Sequence, residues 1–161
     1  MTISYSGYPG PLPSPDFRRM VADEVMPPIV DIISGEVVAN ADRPLGIARY
    51  AGKIKSVNLS CADCGWDADA QAPYFSADVR INGASAMTTK PAIKGNDDES
   101  EQKTTFSEAG DTGVTEAVIN TAANTFAIGD VLSWYLTYSG ESSPDAKIKM
   151  PGIIIDFEPI E

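Results

Sequence analysis

The residues best suited to chemistry in this chain are two cysteines at metal-ligand spacing, Cys61-Ala-Asp-Cys64. A structural zinc site needs four ligands, commonly two such pairs or one pair with two histidines. This sequence has two cysteines and no histidine. A redox CxxC opens a helix inside a βαβ unit, whereas this one follows a strand-like stretch and leads into Gly65-Trp66. The pair reads as two thiols in a loop. The second candidate is Gly95-Asn-Asp-Asp-Glu-Ser-Glu101, which packs four carboxylates into seven residues. A calcium loop spaces its oxygens at alternate positions around a bend glycine and ends on a bidentate Glu, and that register is absent here. Asp67 and Asp69 form a smaller acidic pair. Both acidic stretches read as solvated loop. Without histidine, every Ser-His-Asp and Cys-His arrangement is excluded. Nothing singles out two of the 23 acids as a glycosidase pair, and no glycine-rich phosphate loop follows a strand. The expectation is a protein that is not an enzyme and that uses no metal or cofactor.

The charge balance narrows the partners. With 23 acidic against 12 basic residues, the chain carries a formal charge of −11. Phosphate binding needs clustered Lys and Arg, so nucleic acid and anionic membrane are not expected partners. An acidic surface keeps a multicopy protein soluble. No apolar run approaches the roughly 20 residues that cross a bilayer. The start, MTISYSGYPG, lacks the basic and apolar regions of a signal peptide, so synthesis and use in the cytosol, or exit by a route other than secretion, are expected.

The 161 residues suit one domain and an appendage. Residues 1–44 hold seven of the twelve prolines and read as an extended arm. Within it, Ser14-Pro15-Asp16 is a helix start: an N-cap, a proline at the first helical position, and an acid at the positive end of the dipole. Phe17, Met20, Val21 and Val25 follow at spacings of three and four, one apolar stripe on a helix over about 15–25 that Pro27-Pro28 ends. Ile29 to Ile33 suits a short strand. The arm can lie on a neighbour, or on its own domain to cover an open sheet edge.

Residues 45–161 read as all-β. Lys53 to Leu59 is a strand in which the step from Ile54 to Val57 suggests a bulge. Tyr74 to Ile81 alternates, with Phe75, Ala77, Val79 and Ile81 on one face and Ser76, Asp78 and Arg80 on the other. Asn82-Gly83 supplies the two positive-φ residues of a type I′ hairpin turn, and Ala84 to Thr89 returns. Thr104–Phe106, Thr115–Ile119, Val131–Tyr138, Lys147–Met150 and Ile153–Phe157 complete seven or eight short strands, the pattern of a jelly-roll-like β-sandwich. Trp134 and Tyr138 share a face with Leu132 and Leu136, which favours core packing over a sugar-stacking platform. Tyr74 and Tyr135 are expected at the surface.

Several of these residues carry a family likeness. Asp78-Val79, Asn82-Gly83-Ala84-Ser85, Thr88-Thr89-Lys90-Pro91-Ala92-Ile93, Glu116-Ala117-Val118-Ile119 and Gly129-Asp130-Val131-Leu132 occur in that order. Over about residues 52–157 the pattern resembles β-sandwich structural proteins of tailed bacteriophages, with no catalytic signature in it. The resemblance implies a virion protein, made in the host cytoplasm and placed on the capsid surface. There it would act as a decoration (cement) protein, a homotrimer that binds the major capsid protein and stabilises the shell. The other role it implies is a head-fibre or tail-fibre binding module for a glycan or receptor. The arm and the Cys61/Cys64 loop are additions to the pattern. On this reading Phe17, Met20, Val21 and Val25, with exposed loops near 95–113, are the candidate contacts to shell or subunit, and Asn82 and Gly83 define the fold.

Overall fold

Alternating apolar residues dictate the long strands, and their inward faces meet in one core. The computed structural model describes residues 28–34, 40–64, 74–95, 103–106, 113–139 and 148–160. In chain order the strands are β1 (Ile29–Ile32), β2 (Ala41–Ile47), β3 (Gly52–Cys61), β4 (Tyr74–Ile81), β5 (Ala84–Ser85), β6 (Met87–Thr89) and β7 (Ala92–Lys94). There follow β8 (Lys103–Thr104), β9 (Val114–Thr115), β10 (Val118–Ile119), β11 (Thr125–Phe126), β12 (Val131–Ser139) and β13 (Gly152–Pro159). One sheet runs β1-β13-β3, with β11 and β8 pairing different ends of β3. The other runs β2-β12-β4-β7-β9 with β5 on β4, and β10 pairs β6 in a small third ladder. All pairings are antiparallel.

The topology is that of a jelly roll. Let β8 and β11 count as one interrupted strand. The eight principal strands then order as first, eighth, third, sixth in one sheet and second, seventh, fourth, fifth in the other. Trp134, Phe75, Ile54, Leu59, Ile93, Leu136, Ile153 and Ile155 are fully buried between the sheets. Each such side chain contributes about 1.5–3 kcal/mol by leaving water.

The bulge in β3 is real. Asp156 opposes Ser56 and Phe157 opposes Ile54, which leaves Lys55 as the extra residue. The loose backbone there is satisfied by Asn124, whose Nδ2 donates to the Ile54 carbonyl at 2.8 Å while Ile54 N donates to the Asn124 carbonyl at 2.9 Å.

Other expectations shift. The division at residue 44 falls inside β2, because β1 and β2 are strands of the chain's own two sheets. The stretch Thr115–Ile119 splits, since β9 pairs β7 whereas β10 pairs β6. Of the strand expected over Lys147–Met150, the described residues 148–150 form a bridge from Lys149 to Asp63, and Lys147 lies outside the described residues. Cys61 ends β3 and Cys64 follows that bridge, so both thiols are buried in the core instead of lying in an open loop. The helix expected at about 15–25, with Phe17, Met20, Val21 and Val25, lies outside the described residues. So do Trp66, Asp67, Asp69 and the acidic run 96–101.

Candidate functional site

The residues that carry the family likeness converge on two polar clasps. In the first, β4 presents Asp78 away from the main core, yet only 3% of the residue is exposed. The segment after the Asn82-Gly83 turn folds back over it. Ser85 Oγ donates to Asp78 Oδ1 at 2.5 Å, and Arg80 Nε and Lys90 Nζ both reach Oδ2 at 3.1 Å. Burial pushes the Asp78 pKa up, but the bonds from Ser85, Lys90 and Arg80 outweigh it and hold the carboxyl below its ordinary value. Arg80 also lies 4.6 Å from the Tyr135 ring centre, which half-buries a ring expected at the surface. Ser85 serves this clasp through both of its hydrogen-bonding roles. Its hydroxyl proton is committed to a carboxylate, and it also accepts from Met87 N at 3.2 Å.

The second clasp fixes the hairpin tip. Asn82 and Gly83 adopt φ of 51° and 82°, the positive values a type I′ turn requires. Asn82 Nδ2 donates to Asp130 Oδ1 at 2.7 Å, and Asn82 Oδ1 accepts from Val131 N at 2.9 Å. Asp130 Oδ2 accepts from Ala127 N at 2.7 Å. These bonds, Ala127 first, hold the Asp130 carboxyl below the usual range. The Gly129-Asp130-Val131 turn and the Asn82-Gly83 turn are thus one structure.

A third clasp joins the sheets where the sequence offers no local sign. Arg43 on β2 makes a two-bond pair with Asp31 on β1, at 2.9 and 3.2 Å, and Trp134 Nε1 donates to the same carboxylate at 2.9 Å. The Arg43 bond is the main reason the Asp31 pKa falls. Trp134 is itself fully buried, as the shared face with Leu132 and Leu136 implied. Asp31 and Trp134 are 103 positions apart, so no motif could announce them. Asp78 was missed for another reason. Strand alternation assigned it to solvent, although Ser85 and Lys90 stood beside it in the family pattern.

Beside the clasp of Asn82 and Asp130, the same end of the sandwich carries an apolar hollow. Ile29, Leu45, Ile47, Tyr50, Phe126 and Phe157 line a groove of about 220 Å³. Phe126 and Phe157 meet edge to face at 5.5 Å in its floor. Chain direction sorts the binding candidates. The arm enters β1 at this end. The 95–113 loops leave β7 and return to β9 at the opposite end, beside Tyr74. The nine residues of β12 separate the two ends by about 30 Å. The described residues from which the two expected contact regions depart thus lie at opposite ends of the sandwich, while Phe17, Met20, Val21, Val25 and most of 95–113 lie outside the described residues.

No family model matches the chain, and no curated protein matches it. Among solved structures, a chain from Desmodium yellow mottle tymovirus aligns over 99% of this chain and 98% of its own, at 14% identity and a TM-score of 0.26. A superposition that loose carries no argument about this chain.

Proposed function

We propose that this chain is a virion structural protein that decorates the outer surface of a tailed-phage capsid as a homotrimer and stabilises the shell without catalysis. The observation that supports the reading is the use made of the shared residues. Asp78, Asn82, Ser85, Lys90 and Asp130 build the jelly roll's hairpins, so a likeness in those residues is a likeness in architecture. Architecture alone hosts many functions. Here it is joined to an acidic surface of net charge −11 that suits a soluble multicopy part. The arm joins the sandwich at one end and the 95–113 loops leave it at the other, about 30 Å away, an arrangement suited to one subunit bridging neighbouring positions on a shell of the major capsid protein. Phe17, Met20, Val21 and Val25 are the proposed contacts at one end, and the 95–113 loops at the other. The glycan-binding alternative loses one of its two indoles, because Trp134 is in the core; the other, Trp66, lies outside the described residues.

Light scattering after size exclusion tests the oligomer. A mass three times 17.1 kDa at micromolar concentration is expected. A monomer that stays monomeric as concentration rises would remove the trimer from the reading.

A further inference from the structure

The groove at the arm end is apolar apart from Arg49 at its edge. Ile47, Tyr50 and Ile128 are 68%, 60% and 72% exposed, and Val131, paired with Ile47 across β2 and β12, extends the same surface. A hollow lined mainly by apolar side chains is poorly solvated and well filled by other apolar side chains.

Topology narrows what fills it. The segments 35–39, 65–73, 96–102, 107–112 and 140–147 all join the sandwich at the other end. Their flanking residues there are tied together through Tyr138 to Asn40, Tyr74 to Lys94 and Ser139, and Lys149 to Asp63. Of the long segments outside the described residues, only 1–27 joins at the groove end, and it does so through Pro28 into Ile29, which lines the groove. That segment carries an apolar stripe at helical spacing. Val25 is four residues from Ile29, a reach of about 14 Å. So short a tether gives an effective concentration in the millimolar range.

We propose that in the free protein the groove is occupied by the stripe of Phe17, Met20, Val21 and Val25 of its own chain. Two apolar surfaces then cover each other while the protein is unattached, and a shell obtains the stripe only by drawing it out of the groove. This concerns the free chain and stands or falls independently of shell binding.

A full chain carrying Val21→Cys and Ile47→Cys, treated with a short bismaleimide, tests the seating. The unsubstituted chain, with Cys61 and Cys64 buried, gives the background. The expected product is a link within one chain, at monomer mass. A link between two chains would overturn the proposal in favour of arm exchange, and single labelling without any link would overturn it outright. Limited trypsin digestion supplies a second readout, because Arg18 and Arg19 lie between stripe residues. Ile47→Asp is expected to speed cleavage there several-fold. An unchanged rate in a folded variant would contradict the seating.

Discussion

Asp78 is a carboxylate taken almost wholly out of water between two cations and a hydroxyl, and it pins the returning half of the hairpin to β4. Asp78→Asn keeps the shape but leaves Arg80 and Lys90 without their anion. A loss of about 1–3 kcal/mol is expected in denaturant unfolding, of which the half-exposed Lys90 accounts for little. The same group sets a pH response. The folded pKa values of Asp31 and Asp78 lie below the roughly 3.9 of an unfolded Asp, so their stabilisation is complete well above pH 4. It is lost as pH falls through about 4 toward the folded values. The melting temperature should therefore drop between pH 5 and pH 3, and drop less in Asp78→Asn; equal drops would rule out Asp78 as a source. Gly83 is the converse case. A Cβ there meets no atom within 4 Å, so Gly83→Ala should cost only the strain of its +82° φ, about 1–2 kcal/mol. At this scale the sequence made the turn legible, since Asn-Gly needs no partner to declare itself. It hid the pin, because alternation counts faces and is silent about chain that later folds over them.

Elements were legible where they were long. β4 and β12 alternate over eight or nine residues, β13 carries the apolar run Ile153–Ile155, and the Lys55 bulge showed as a skipped beat in β3. Proline content misplaced the domain boundary for a physical reason. Pro44 sits in β2, an edge strand paired only to β12 among the described residues, where a missing N–H is tolerated. The Asp31–Arg43–Trp134 clasp was illegible, because contacts across 103 positions leave no local pattern. A truncation pair separates arm from sandwich. Removal of residues 1–27 should leave a cooperative thermal transition, whereas removal of 1–44 takes β1, most of β2 and two members of that clasp. The longer deletion should abolish the transition by circular dichroism. Equal melting of the two would mean that β1 and β2 contribute nothing to the fold.

For the molecule as a whole, the polar residues that looked like a motif hold the jelly roll together, and the proposed partner surfaces are at its two ends. An acidic sandwich with an apolar groove at one end and the 95–113 loops at the other is suited to spanning positions on a repeating surface, where many weak contacts multiply. The measurement that tests this most directly is co-sedimentation of the full-length protein with expanded shells of the major capsid protein from the same virus. Saturable binding at three chains per threefold position, with a raised temperature of shell disruption, is the predicted result. Folded protein that stays in the supernatant at micromolar concentration, and leaves shell stability unchanged, would contradict the account.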